Sequence, residues 1–183
     1  ALTASNTVLA GMIPSSAARV GGVMLPITRS LAELYKSNPG PTAGLLGVFL
    51  MVTLYQVDVV ACALFFTGQA SNPLAARQAA QLTEQVAGGP IILTYGKWLW
   101  YALVTAVTSL LVAPFLTYRL TRPQITRTPE ATEFARAQLS SMGPLKREEY
   151  IVAIIFTGVC LLWIFGGPNG ITVVALGGAT LLL

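Results

Sequence analysis

In 183 residues the chain carries 54% apolar side chains and only 10% charged ones, where soluble domains carry about 25% charged residues. With a mean hydropathy of +0.68, this shortage of charge argues against a soluble enzyme and places most of the surface in a bilayer. The net charge of +4 is too modest to point to nucleic acid, and the absence of histidine removes the commonest general base and transition-metal ligand. No metal site and no cofactor are expected, although Na⁺ as a coupling ion stays open.

The first element, residues 1–36, reads as a re-entrant hairpin, mostly its second arm. Ser5, Asn6 and Thr7 interrupt a short apolar arm that ends at Met12. Pro14 followed by Ser15 and Ser16 marks a helix start, and an apolar helix runs on to about Leu34. Two short arms around a polar tip are allowed at membrane depth only where protein covers the free backbone groups. Ser37-Asn38-Pro39-Gly40-Pro41 reads as an exterior turn.

Residues 42–88 read as a discontinuous transmembrane helix. From Ala43 to Phe66 the only charge is Asp58, and the run is long enough for the roughly 20 residues that a crossing needs. The pattern breaks over 67–73, where Thr67, Gly68, Gln69, Ser71, Asn72 and Pro73 form an unwound joint. A shorter amphipathic arm then ends at Gly88-Gly89-Pro90.

A full span is expected over 97–118, opened by Trp98, Trp100 and Tyr101, residues favoured at a membrane interface. Residues 119–149 hold Arg119, Arg122, Arg127, Arg136, Lys146 and Arg147, with a short surface helix starting at Pro129. By the positive-inside rule this loop is cytoplasmic, or stromal or matrix-facing in an organelle. Residues 150–183 read as further spans, divided by a glycine-proline turn. Cys62 and Cys160 lie in separate apolar runs and read as buried, unpaired thiols. Both ends of the sequence read as internal to a longer protein.

Two helix breaks in one membrane segment favour a site, because breaks expose helix N-termini and free carbonyls at the midplane. The positive end of a helix favours an anion. Ser15, Ser16, Ser71 and Asn72 are therefore expected to bind substrate, and Arg19 to clamp it. Arg19 lies four residues after Ser15, a spacing that puts both on one helix face. Gly68 and Thr67 sit in the joint, whose carbonyls suit Na⁺. Asp58 is a coupling-ion or proton site, or the partner of an arginine, for which Arg77 is also at hand.

Four stretches then add a family resemblance. Ile13-Pro14-Ser15-Ser16-Ala17-Ala18-Arg19-Val20-Gly21-Gly22 with Leu25-Pro26-Ile27 resembles the hairpin signature of the divalent anion–sodium symporter family, in its branch of citrate/succinate and tartrate antiporters and plastid 2-oxoglutarate/malate translocators. Phe65 to Gly68 with Asn72-Pro73-Leu74-Ala75 resembles the joint of that branch. Met142-Gly143-Pro144-Leu145 resembles its inter-repeat loop, and Leu162-Trp163-Ile164-Phe165-Gly166 the opening span of its second repeat. The chain departs from the signature at the tip, where Ser15-Ser16-Ala17 lacks one amide and one hydroxyl.

The resemblance implies an all-α polytopic membrane protein, part of an inverted-repeat elevator transporter for small carboxylate anions, homodimeric and multi-pass. It places the protein in a bacterial inner membrane or, alternatively, a plastid inner envelope. Exchange of one anion for another is favoured if Arg19 is a permanent charge in the empty site; Na⁺-coupled symport is the alternative. A channel-like or structural subunit and a membrane-embedded enzyme are the readings from other classes.

Overall fold

The computed structural model describes residues 1–165 and 171–182, and these are helical, with no strand among them. Helix α1 spans Leu2–Met12. It stops at Ile13, held extended at φ −111° and ψ 102°, as the ring of the following Pro14 requires. Ser15 caps the next helix, its side chain accepting a hydrogen bond from the Ala18 N–H.

That second arm is one continuous rod of three parts: α2 (Ser16–Arg19), a π-helical turn (Val20–Met24) and α3 (Leu25–Leu34). The widened turn has a local cause. Pro26 has no N–H to give the Gly22 carbonyl, and its ring would crowd that carbonyl in a regular α-helix. In the π turn the Leu25 N–H instead reaches the Val20 carbonyl, five residues back.

The turn after α3 is less exterior than its composition predicts. Ser37 is buried, and its hydroxyl accepts from the Leu46 and Gly47 N–H groups (3.0 and 2.8 Å) while donating to the Thr42 carbonyl. It thus caps α4 (Gly47–Leu64), which begins five residues later than the expected Thr42. Leu50, Leu54, Val57 and Ala61 form the buried stripe of α4, at the four-three-four spacing of one helix face.

The chain unwinds after Leu64 and resumes as α5 (Ser71–Ala87), ended by Gly88 at φ +73°. Helix α6 (Tyr95–Thr121) packs along α4, with Phe49 edge-on to Tyr118 at 5.8 Å. Beyond it lie α7 (Pro129–Met142), α8 (Arg147–Phe165) and α9 (Ile171–Leu181).

Helices α4, α6 and α8 are long and apolar enough to cross a membrane. Nearly half of α4 is covered by other helices, whereas α6 and α8 are almost bare. Their exposed Leu103, Val104, Leu111, Phe115 and Ile154 suit a lipid surround. The expected glycine-proline turn near Gly167-Pro168 lies outside the described residues.

Candidate functional site

Both breaks close on α4, through its last three turns, and they close by different chemistry. At the hairpin, Arg19 is fully buried and surrounded by acceptors. Its Nη2 donates to Asp58 Oδ1 at 2.5 Å and to Cys62 Sγ at 3.0 Å. Nη1 donates to the Ile13 carbonyl at 2.9 Å, and Nε lies 3.2 Å from Asp58 Oδ1 and 3.3 Å from Asn6 Oδ1. The Ser16 hydroxyl donates to Asp58 Oδ2 at 2.5 Å, and the Asn6 amide lies 3.4 Å from Asp58 Oδ1.

Asn6 from α1, Ser16 and Arg19 from the second arm, and Asp58 and Cys62 from α4 therefore form one knot. Taking a guanidinium or a carboxylate out of water costs several kcal/mol per ion unless partners replace the lost hydration. Here the partners are complete for Asp58 and for four of the five Arg19 N–H groups. The charge of Arg19 is cancelled by Asp58. Of the alternatives for Asp58, the arginine partner is the one seen, and it offsets the permanent charge on which exchange was favoured; Arg77, the other arginine considered, is exposed.

Ser15 and Arg19 also do not share a face. Ser15 is the cap, with extended backbone at φ −136°, so the helical i, i+4 rule does not apply to it. Its side chain is exposed, while Ser16 and Arg19 turn inward. A cavity of about 540 Å³ opens beside Ser16, Ala17, Gly21, Tyr55 and Asp58.

The joint is closed without charge. Asn72, nearly fully buried, donates from Nδ2 to the Cys62 and Phe65 carbonyls at 2.8 and 2.9 Å, and its Oδ1 accepts from Gln69. These carbonyls are left over where α4 ends. Gly68 packs so tightly that a Cβ there would lie 2.6 Å from the Cys62 carbonyl oxygen, which only glycine avoids. Thr67 hydrogen-bonds the Tyr95 side chain, and Ser71 is exposed at the first turn of α5.

The predicted residues thus fall into two groups: Ser16, Arg19 and Asp58 in the charged knot, Gly68 and Asn72 in the neutral one. Sequence reasoning missed Asn6 and Cys62 as partners. An amide inside a short apolar arm was the available signal for Asn6, since a polar group at membrane depth needs a partner.

With this geometry in view, comparison with known proteins is decisive. The whole chain, residues 1–183, matches the family described as sodium:sulfate symporter transmembrane region. The chain belongs to that family. It is 40% identical over 182 residues to a putative malate transporter, YflS, of Bacillus subtilis, covering 98% of this chain and 37% of that protein. It is 37% identical to the chloroplastic dicarboxylate transporter 1 of Arabidopsis thaliana, covering 100% of this chain and 32% of that protein. A citrate/succinate antiporter of Escherichia coli is 32% identical, over 91% of this chain and 33% of its own length.

The chain therefore spans about a third of the length of these relatives. Family and helices together make it part of a multi-pass membrane protein.

Proposed function

We propose that the protein containing this chain carries di- and tricarboxylates of the citrate, succinate, malate and 2-oxoglutarate class across a membrane by anion exchange. The observation that carries this reading is the placement of two polar helix breaks on the last three turns of one membrane helix, α4, in a family whose relatives are named for such anions. The carboxylate is bound at the tip and the joint, the positions of Ser15 and Ser16 and of Ser71 and Asn72, with Arg19 beneath the tip. Exchange is proposed because the citrate/succinate relative is named an antiporter.

The larger frame follows the family: two inverted repeats moving as an elevator, a homodimer, and a bacterial cytoplasmic membrane, with a plastid envelope as the alternative. In this frame the chain supplies the end of the first repeat and the start of the second.

The pairing of Arg19 with Asp58 favours a second reading, Na⁺-coupled symport. A buried pair with no net charge leaves a dianion uncompensated, and a bound cation is the simplest remedy. In this reading the ion is assigned to the joint, at Gly68 and Thr67. Uptake of labelled malate, succinate, citrate or 2-oxoglutarate by the full-length protein in proteoliposomes separates the two. Uptake that needs internal carboxylate and ignores Na⁺ supports exchange; uptake into empty vesicles driven by Na⁺ establishes symport. If no carboxylate enters under either condition, the substrate class is wrong.

A further inference from the structure

Helix α6 ends in positive charge that no carboxylate meets. Arg119 lies in its last turn and Arg122 is its C-cap, and both are exposed. Among the described residues the ion pairs are Arg19 with Asp58 and Arg29 with Glu33, so these two guanidinium groups are unpaired there. They are nonetheless held in place. The Arg119 guanidinium carbon lies 4.9 Å from the centre of the Phe115 ring, one turn back. Arg122 stands at φ +44°, the left-handed position that glycine usually takes at a helix end. With Tyr118 and Pro123 the two arginines line an open cavity of about 380 Å³, whose walls hold no acidic side chain among the described residues.

The length of α6 sets the depth of this cavity. Trp100 and Tyr101 belong at one membrane interface. Arg119 follows Trp100 by nineteen residues of helix, about 28 Å along the axis, against a hydrocarbon core of about 30 Å. The two arginines therefore stand at the level of the phosphates of the opposite leaflet. Phe115, Leu116 and Leu120, exposed beside them, offer acyl chains an apolar wall that a soluble anion would not need. The loop that follows is cytoplasmic by the positive-inside rule, and anionic lipids lie in the cytoplasmic leaflet.

We propose that Arg119 and Arg122 form a headgroup site for an anionic phospholipid, with its phosphate at the end of α6 and its chains along Phe115, Leu116 and Leu120. The guanidinium suits this ligand because its fork of N–H donors matches phosphate oxygens. Packing on Phe115 and the fixed turn at Arg122 leave the two side chains less freedom to lose on binding. The site is separate from the two helix breaks and independent of which anion the protein carries.

The test is a competition. The full-length protein in neutral detergent binds fluorescently labelled phosphatidylglycerol, read by anisotropy, and unlabelled phosphatidylglycerol, phosphatidylcholine or inorganic phosphate is then added. Phosphatidylglycerol should displace the probe at a concentration about fivefold or more below phosphatidylcholine. Inorganic phosphate should not displace it at millimolar concentration. Arg119→Gln and Arg122→Gln are each expected to weaken phosphatidylglycerol binding about fivefold, and the double variant about twenty-fivefold. Arg136→Gln removes the same charge from an exposed position on α7, outside the site, and should change binding less than about twofold.

Equal displacement by phosphatidylcholine overturns the headgroup site. So does equal weakening by Arg136→Gln, which would mean a diffuse field in place of a site. Displacement by inorganic phosphate as readily as by the lipid would assign the arginines to a soluble anion and overturn the lipid. Thermal unfolding without lipid is the folding control, and should the double variant unfold early, the single variants decide against Arg136→Gln. Carboxylate uptake plays no part in this readout, so failure of the transport reading is seen separately.

Discussion

The hairpin tip and the joint solve the same problem with opposite means. Each interrupts a helix and leaves backbone carbonyls without partners in a region where water is scarce. At the tip, the Ile13 carbonyl is satisfied by a guanidinium, which then demands a carboxylate, an amide and a thiol of its own. At the joint, one neutral amide serves both the Cys62 and the Phe65 carbonyls, Phe65 also accepting from the Gly68 N–H, and that glycine lets the chain fold back close enough.

The charged solution ties three helices together but fails if any ionic member is lost. The neutral solution is local and fails by degrees. Cys62 joins them, since its thiol serves the tip and its carbonyl the joint.

The largest effect should come from splitting the ion pair. Arg19→Leu or Asp58→Leu alone leaves a buried charge without its counter-ion, a loss of about 3–5 kcal/mol. Thermal unfolding in detergent of the full-length protein would report it. The double substitution Arg19→Leu with Asp58→Leu should recover most of that stability, because no charge then remains buried. If the double variant is as unstable as the sum of the singles, the pair is not the unit holding the tip.

At the joint, Gly68→Ala should cost about 1–3 kcal/mol, the range for overpacking, near its upper end because the new Cβ meets backbone. Wild-type stability in this variant would show that Gly68 does not approach Cys62 as described. Asn72→Leu follows at about 1–3 kcal/mol, since the Cys62 carbonyl loses its side-chain donor in an apolar setting while the Phe65 carbonyl keeps the Gly68 N–H. Asn72→Asp should be worse than Asn72→Leu, because it brings an acceptor to two acceptors. The reverse order would count against the amide as the closing group.

The two regions were also unequally legible in the sequence. Both breaks could be read from Pro14, Gly68 and Pro73, and the apolar runs located α4, α6 and α8 to within a few residues. The partners could not. Arg19 and Asp58 lie 39 positions apart, and no periodicity within one helix links residues on different ones. Reading Ser15 and Arg19 as one face failed because a cap residue is extended, so the helical count starts one residue later. The π turn is invisible for a related reason: Pro26 announces a conflict with Gly22, but not whether a kink or a widened turn resolves it. Ser37 was hidden in a string of turn-forming residues, where its role as a cap for α4 depends on a fold-back over ten positions.

The smallest effect lies where the hairpin meets the charged loop, far from both breaks. The Tyr35 hydroxyl donates to Glu130 at 2.8 Å and accepts from the Ala131 N–H at 3.0 Å, capping the first turn of α7. Hydrogen bonds from its own backbone N–H and from Tyr35 hold the Glu130 carboxyl below the usual carboxylate range. A carboxyl depressed in the folded protein contributes to order above its ordinary pKa, and that contribution is lost as pH falls through the lowered value. Helix α7 should therefore keep its amide-exchange protection at neutral pH and lose part of it only as pH falls below the usual carboxylate range. Tyr35→Phe removes the hydroxyl and should both lower the protection at neutral pH and flatten its pH dependence. Glu130 is exposed and the half-buried Tyr35 ring keeps its packing as Phe, so the change should stay within α7 and leave global unfolding where it was. Equal protection in the two proteins at every pH would mean that the tie between hairpin and loop does not order this helix. A loss extending into α4 would mean that the loop is coupled to the breaks, and the contrast between tip and joint would then need a third member.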